Sequence, residues 1–256
     1  MRAFPLALAA LLLLPGCGSG GDPERPAVRG NGIEERSYGS GADQVWVVRP
    51  TQRDVESIVV YVHGHGGPLE DTPHFHRPWL QHLARKGSAV VYPRYEEFPG
   101  AHGTLAHIER AVDRAMKEID AGHDMPVVGI GYSRGGRLVM DWAAAGIGGP
   151  SEPDALLSVF PASGEDPEEN LALIRHSTKI VVLVGDQDEV VGDLGAIALM
   201  QQLTVPGIPD PNRRVELVRS TKSFTASHLS VLETTPGARA AFWDRADRLI
   251  AAVRSR

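Results

Sequence analysis

The chain is predicted to fold as one α/β domain on a doubly wound, mostly parallel sheet, and three observations lead there. Apolar runs of strand length alternate with stretches of helical period from about residue 35 onward. Several of those runs, among them SIVVYVHG, VVGIGY and KIVVLVGD, lack polar alternation. Strands of that kind are buried on both faces, which requires helices on both sides of the sheet. The chain has 256 residues, 42% of them apolar, enough for one core of domain size.

Taken in order, QVWVVRP and SIVVYVHG read as strands with a turn at TQRD between them. HFHRPWLQHLARKG reads as a helix ended by Gly87, and SAVVYPR as a strand. In TLAHIERAVDRAMKEIDAG, Leu105, Ile108, Val112, Ala115 and Ile119 share one face opposite the charges, the pattern of a helix packed on a sheet. VVGIGY is a strand, and Leu138, Val139 and Trp142 place a helix after it. DALLSVFPA, KIVVLVGD and RRVELVRS are strands; PEENLALIRHS, LGAIALMQQL and GARAAFWDRADRLIAAVR are helices.

A formal net charge of −6, with no long run of lysine and arginine, argues against a nucleic-acid partner. The N-terminus is more informative. Arg2 precedes an apolar stretch over residues 4–14, followed by Leu14-Pro15-Gly16-Cys17. That stretch is too short to span a bilayer, which takes roughly 20 residues, and has the length of a signal-peptide core. Leu-x-Gly-Cys resembles the lipobox of bacterial lipoproteins, with Pro15 where a small residue is more usual. The resemblance implies a signal over residues 1–16, lipid on Cys17 and a membrane-anchored place on the cell envelope. Cys17 is the single cysteine, so no disulfide is available. Residues 18–34 are rich in glycine, proline and charge. With Cys17 they read as a lipidated tether over 17–34, leaving residues 35–256 as the folded domain.

The candidate chemistry sits in Gly131-Tyr132-Ser133-Arg134-Gly135, at the junction of a strand and a helix. A serine on so tight a bend is held out at the carboxyl edge of the sheet, and the next N–H, that of Arg134, opens the helix. The plain alternative for Ser133 is a helix N-cap. As a nucleophile it needs a base, and the base an orienting acid. Of ten histidines only His228 follows KIVVLVGD, and that strand runs into Asp186, Asp188 and Glu189. Earlier in the chain, His63-Gly64-His65-Gly66-Gly67 follows another strand.

Together these four motifs resemble the alpha/beta-hydrolase superfamily over about residues 35–254, with compact chains of the dienelactone-hydrolase-like and polyester-hydrolase-like esterases as the nearest types. That family orders its triad as serine, acid, histidine. The resemblance implies Ser133 as nucleophile and His228 as base. Gly185-Asp186-Gln187-Asp188-Glu189-Val190-Val191 resembles the family's G-x-x-D-x-x-V, which puts the acid at Asp188, with Asp186 as competitor. It implies an oxyanion hole from the N–H groups of His65 and Arg134, with Gly66 competing for the first, while His63 fixes the loop by a hydrogen bond.

The expected activity is cleavage of carboxylic esters through an acyl-serine. Serine peptidase, acyltransferase and a non-catalytic lipid-anchored binding protein are the alternatives. No metal or organic cofactor is implied: His63, His65, His74, His76 and His82 cluster in sequence but lack an H-E-x-x-H arrangement. Cap domains of this family usually enter before the acid-bearing strand, and SGEDPEENLALIRHST leaves room for one short helix only. An open, shallow site on a monomer is therefore expected, taking short-chain esters or a polymer lying across the surface. Tyr95, Phe98 and Tyr132 are candidate pocket residues.

Overall fold

A computed structural model of the chain describes residues 27–65, 71–96, 104–120, 122, 124–146, 151–163, 169–204 and 208–255. The expected signal, Cys17, Gly66, Gly67 and Phe98 lie outside these residues.

The strands are β1 (Val28–Gly30), β2 (Ile33–Tyr38), β3 (Val45–Pro50), β4 (Ser57–Val62), β5 (Ser88–Pro93), β6 (Val127–Tyr132), β7 (Ala155–Val159), β8 (Lys179–Gly185) and β9 (Arg213–Val218). They form a single sheet in the order β1-β2-β3-β5-β4-β6-β7-β8-β9. The first three pairings, β1–β2, β2–β3 and β3–β5, are antiparallel, and the rest are parallel. The helices are α1 (Arg77–Arg85), α2 (Thr104–Ile119), α3 (Arg134–Ala145), α4 (Leu194–Thr204) and a last segment. That segment starts as α5 (Pro236–Ala238), passes through a π turn at Arg239–Trp243 and continues as α6 (Asp244–Arg254). Among the described residues no helix is long and apolar enough to cross a membrane.

Strand alternation divides the core in two. Val59, Tyr61, Val90, Tyr92 and Ile130 pack under Trp79, Leu80 and Leu83 of α1 and under Phe242 and the α6 face. Ile58, Val60, Val62, Val91 and Val127 pack under α2, α3 and α4, where Ile108, Val112, Leu138, Trp142 and Leu199 are buried. Helices thus cover both faces, as the unbroken apolar strands require.

Three expectations are corrected. The sheet starts at Val28, inside the stretch read as tether. Asn31 and Gly32, at φ of 51° and 77°, close the β1–β2 hairpin. Such a pair suits a tight hairpin turn because both positions take the left-handed region. Helix α1 starts at Arg77 rather than at His74, because Pro78 has no N–H to give and fits only the first turn. Within PEENLALIRHS the described residues hold only a 3₁₀ turn at Leu171–Leu173. The Asn170 side chain accepts from the Ala172 N–H there (3.1 Å), and Leu171 and Ile174 bury.

Candidate active site

The carboxyl ends of β4, β5, β6, β7 and β8 lie on one edge, where open α/β sheets place their sites. Ser133 follows β6 at φ 55° and ψ −121°, a strained conformation for a residue with a Cβ. Its backbone is held from both ends. The Ser133 N–H donates to the Val159 carbonyl (2.9 Å), and its carbonyl accepts from the N–H groups of Gly136 (2.9 Å) and Ala162 (3.0 Å). The flanking glycines are required by crowding. A Cβ on Gly131 would stand 2.0 Å from the Gly135 carbonyl oxygen, and one on Gly135 would stand 2.1 Å from the Val62 carbonyl oxygen. The Ser133 side chain makes no cap hydrogen bond to α3, which removes the N-cap alternative.

Its hydroxyl instead lies 3.0 Å from His228 Nε2, and His228 Nδ1 lies 2.8 Å from Asp188 Oδ2. A carboxylate only accepts, so Nδ1 carries the hydrogen and Nε2 of a neutral ring is left to accept from the serine. Asp188 Oδ1 accepts the backbone N–H groups of Val190 (3.0 Å) and Val191 (3.1 Å), which fixes the carboxylate plane. All three side chains are nearly buried. His228 begins a 3₁₀ turn, His228–Leu232, and its carbonyl accepts the Tyr132 hydroxyl (3.1 Å) while the Tyr132 ring packs beside its imidazole.

Asp186 is elsewhere. It is exposed, and its carboxylate takes the Ser220 hydroxyl (2.6 Å) and the Ser220 N–H (2.9 Å). Those two hydrogen bonds, the hydroxyl first, hold its pKa below the usual aspartate value. Glu189 is exposed as well. The structure thus brings Ser133, His228 and Asp188 together and leaves the competing acids apart.

The loop after β4 runs against the serine. A Cβ on Gly64 would stand 3.0 Å from the Tyr132 ring and 3.1 Å from Ser133 Cβ. The His63 ring is buried between Tyr92 and Tyr95, its nitrogens 2.7 Å from the Gly64 carbonyl and 2.9 Å from the Arg94 carbonyl. The Gly64 carbonyl belongs to the peptide whose N–H is that of His65. A trans peptide is planar, so turning this carbonyl toward His63 turns the His65 N–H the opposite way. Arg134 opens α3, and its N–H is among those that point out of a helix N-terminus.

Tyr95 and Tyr132 are supports rather than pocket walls. Both are buried, and the Tyr95 hydroxyl donates to the His63 carbonyl (2.7 Å). His74 and His76 do not converge: His76 Nδ1 meets the buried Tyr61 hydroxyl (2.9 Å), while His74 is exposed. Among the described residues no three His, Cys, Asp or Glu side chains gather as metal ligands. An apolar groove of about 440 Å³ between α4 and β9, lined by Val184, Ala196, Ile197, Met200, Val215 and Leu217, includes none of the three catalytic candidates.

Sequence reasoning missed Glu96. It sits just past β5, only 6% exposed, forms an ion pair with Arg134 Nη1 and has an oxygen 3.3 Å from His65 Nδ1. The available signal was an acidic residue directly after an apolar strand on the same edge. Also missed was the bidentate pair of Arg137 with the fully buried Asp141 inside α3, at 2.9 Å for each bond.

No protein-family model matches the chain, and no curated protein matches it in sequence. Solved structures do resemble it. Esterase B from Lactobacillus rhamnosis, solved with a tributyrin phosphonate, has a TM-score of 0.67 at 16% identity, over 88% of this chain and 87% of that one. The dienelactone-hydrolase-like promiscuous phosphotriesterase P91 from metagenomic libraries has a TM-score of 0.58 at 16% identity, over 86% and 93%. A fungal esterase from Rhizomucor miehei has a TM-score of 0.57 at 16% identity, over 91% and 82%. The likeness is one of fold: the protein has the alpha/beta-hydrolase fold, and its three converging side chains lie on the edge where that fold carries chemistry.

Proposed function

We propose that the protein is a serine hydrolase that cleaves carboxylic esters through an acyl-serine intermediate. The observation that supports this reading is the unbroken chain from the Ser133 hydroxyl to His228 Nε2 (3.0 Å) and from His228 Nδ1 to Asp188 (2.8 Å), mounted on a strained turn. The order of the three along the sequence and the esterases among the structural neighbours support it further.

In this mechanism Ser133 Oγ attacks the ester carbonyl as His228 Nε2 takes its proton. Asp188 holds the ring and stabilises the imidazolium. The backbone N–H groups of His65 and Arg134 receive the oxyanion. His228 then protonates the departing alkoxide, which leaves as the alcohol. Water attacks the acyl-enzyme with His228 again as base, and Ser133 regains its proton. Short-chain esters, or a polymer lying across the surface, suit the open site expected from the sequence, and among the described residues between β7 and β8 only the 3₁₀ turn Leu171–Leu173 is formed. We place the enzyme at the cell envelope, exported by the signal over 1–16 and anchored through lipid on Cys17.

Ser133→Ala tests the reading. It is expected to lower kcat on p-nitrophenyl acetate by a factor on the order of 10⁶ and to abolish labelling by a fluorophosphonate. A variant that keeps near-full esterase activity overturns it. Rates flat and slow across a chain-length series of p-nitrophenyl esters would favour peptidase or transferase chemistry over esterase.

A further inference from the structure

We propose that Glu96 is a positioning residue for the oxyanion pocket, tying together the two residues whose backbone N–H groups form it; the proposal rests on the serine-hydrolase reading above. After β5 ends at Pro93, three consecutive residues each grip the loop His63–His65. The Arg94 carbonyl lies 2.9 Å from the His63 ring, the Tyr95 hydroxyl donates to the His63 carbonyl (2.7 Å), and the Glu96 carboxylate lies 3.3 Å from His65 Nδ1. In an extended chain neighbouring side chains point to opposite sides. Tyr95 breaks that rule with φ of 45°, so that it and Glu96 both meet the same loop. A non-glycine residue held there is strained and persists only where its surroundings enforce it.

Glu96 reaches further than its two neighbours. The same carboxylate pairs with the Arg134 guanidinium, which also extends to Thr104 Oγ1 at the start of α2 (3.4 Å). One buried side chain therefore links the loop after β4 to the first residue of α3. These two segments belong to different elements, and an oxyanion hole works only if both donors hold one spacing. The ion pair also suits the chemistry. A lone buried carboxylate beside the pocket would repel the developing negative charge; the partly exposed Arg134 guanidinium offsets it.

The test is steady-state hydrolysis of p-nitrophenyl acetate by the full chain, by Glu96→Ala and by Glu96→Gln, with Ser133→Ala as the zero. Glu96→Ala is expected to lower kcat by about 10- to 100-fold, less than deleting a donor outright because the N–H groups remain. KM is expected to stay within about threefold, since the substrate's ground state carries little charge for the pocket to hold. Glu96→Gln keeps the shape but removes the negative charge that Glu96 sets against the Arg134 guanidinium. It is expected to lose about 3- to 10-fold in kcat, again with KM unchanged, and it carries the test if Glu96→Ala fails to fold. Wild-type kcat in the folded variants overturns the proposal. So does a loss that appears in KM alone, or one that vanishes on cooling in step with a lowered Tm. If Ser133→Ala itself stays active, the serine-hydrolase reading has failed, and that outcome is separate.

Discussion

Two buried carboxylates, Glu34 within the sheet and Asp188 just past one of its strands, are held in opposite ways. Glu34, on β2, is gripped by full charges: Arg29 Nε at 2.7 Å, Arg36 Nη2 at 3.1 Å and Arg49 Nη2 at 2.7 Å. Asp188, past β8, is held by two backbone N–H groups and one imidazole. Three guanidiniums neutralise an acid and bind strands together. Two peptide dipoles fix an acid's orientation and leave its negative charge to act on the neighbouring ring. Glu34 is thus neutralised in place by countercharge, whereas Asp188, held by dipoles, keeps the charge that the proposed role of orienting His228 needs.

The largest effect that sharpens this contrast is expected from Asp188→Asn. The amide oxygen can keep the Val190 and Val191 N–H groups, which turns the NH₂ toward His228 Nδ1. The ring must then accept at Nδ1 and carry its hydrogen on Nε2, where it can no longer take the serine proton. A fall in kcat on the order of 10³–10⁴ is expected, with the folded structure retained. A stopped assay with p-nitrophenyl acetate measures it. A loss below about tenfold would mean that Asp188 is not the orienting group.

Glu34→Gln comes next and acts on stability rather than turnover. Burial pushes the Glu34 carboxyl upward, but the hydrogen bonds from Arg36, Arg49 and Arg29 outweigh it and bring the pKa from 4.5 down to about 2. A folded-state value below the unfolded one means the proton prefers the unfolded chain. The stabilisation is complete above pH 4.5 and is lost as pH falls from there toward 2. Urea melts at pH 6 and pH 3 should show the wild type losing stability across that interval. Glu34→Gln, weaker by about 1–3 kcal/mol at pH 6, should lose less of it. Parallel losses in both proteins would show that Glu34 is not the group responsible, and kcat at pH 7 should not move.

The same two carboxylates mark what was legible in the sequence. The parallel half of the sheet announced itself because fully buried strands carry unbroken apolar runs, as in SIVVYVHG and KIVVLVGD. Ser133 and the candidate acids were legible because they stand directly after apolar strands, with glycines around the serine, and His228 because the resemblance to the alpha/beta-hydrolase superfamily implies a histidine after the acid. The antiparallel hairpin was not. β2 reads IEERSY, dominated by charge, and Glu34 buries only because three arginines converge on it from β1, β2 and β3. Composition sees a polar segment; pairing makes it a strand. The turn pair Asn31-Gly32 was the one local sign. Glu96 was hidden for a related reason, since its partners His65 and Arg134 are 31 and 38 residues away and no periodicity links them.

The smallest effect is expected from Asp186→Asn, two residues before Asp188 on the same turn. Its carboxylate anchors Ser220, whose hydroxyl in turn accepts the Ala226 N–H (2.9 Å), so Asp186 braces the loop that leads to His228 without touching the ring. An amide oxygen can still accept from Ser220, and the group is exposed, so water replaces whatever is lost. The kcat of Asp186→Asn is expected to stay within about threefold of wild type, three orders of magnitude above Asp188→Asn. Sequence spacing alone could not separate these two acids, and kinetics on the matched pair does so directly. Equal losses in both variants would mean that the brace matters as much as the partner, and that His228 is positioned by its loop rather than by one carboxylate.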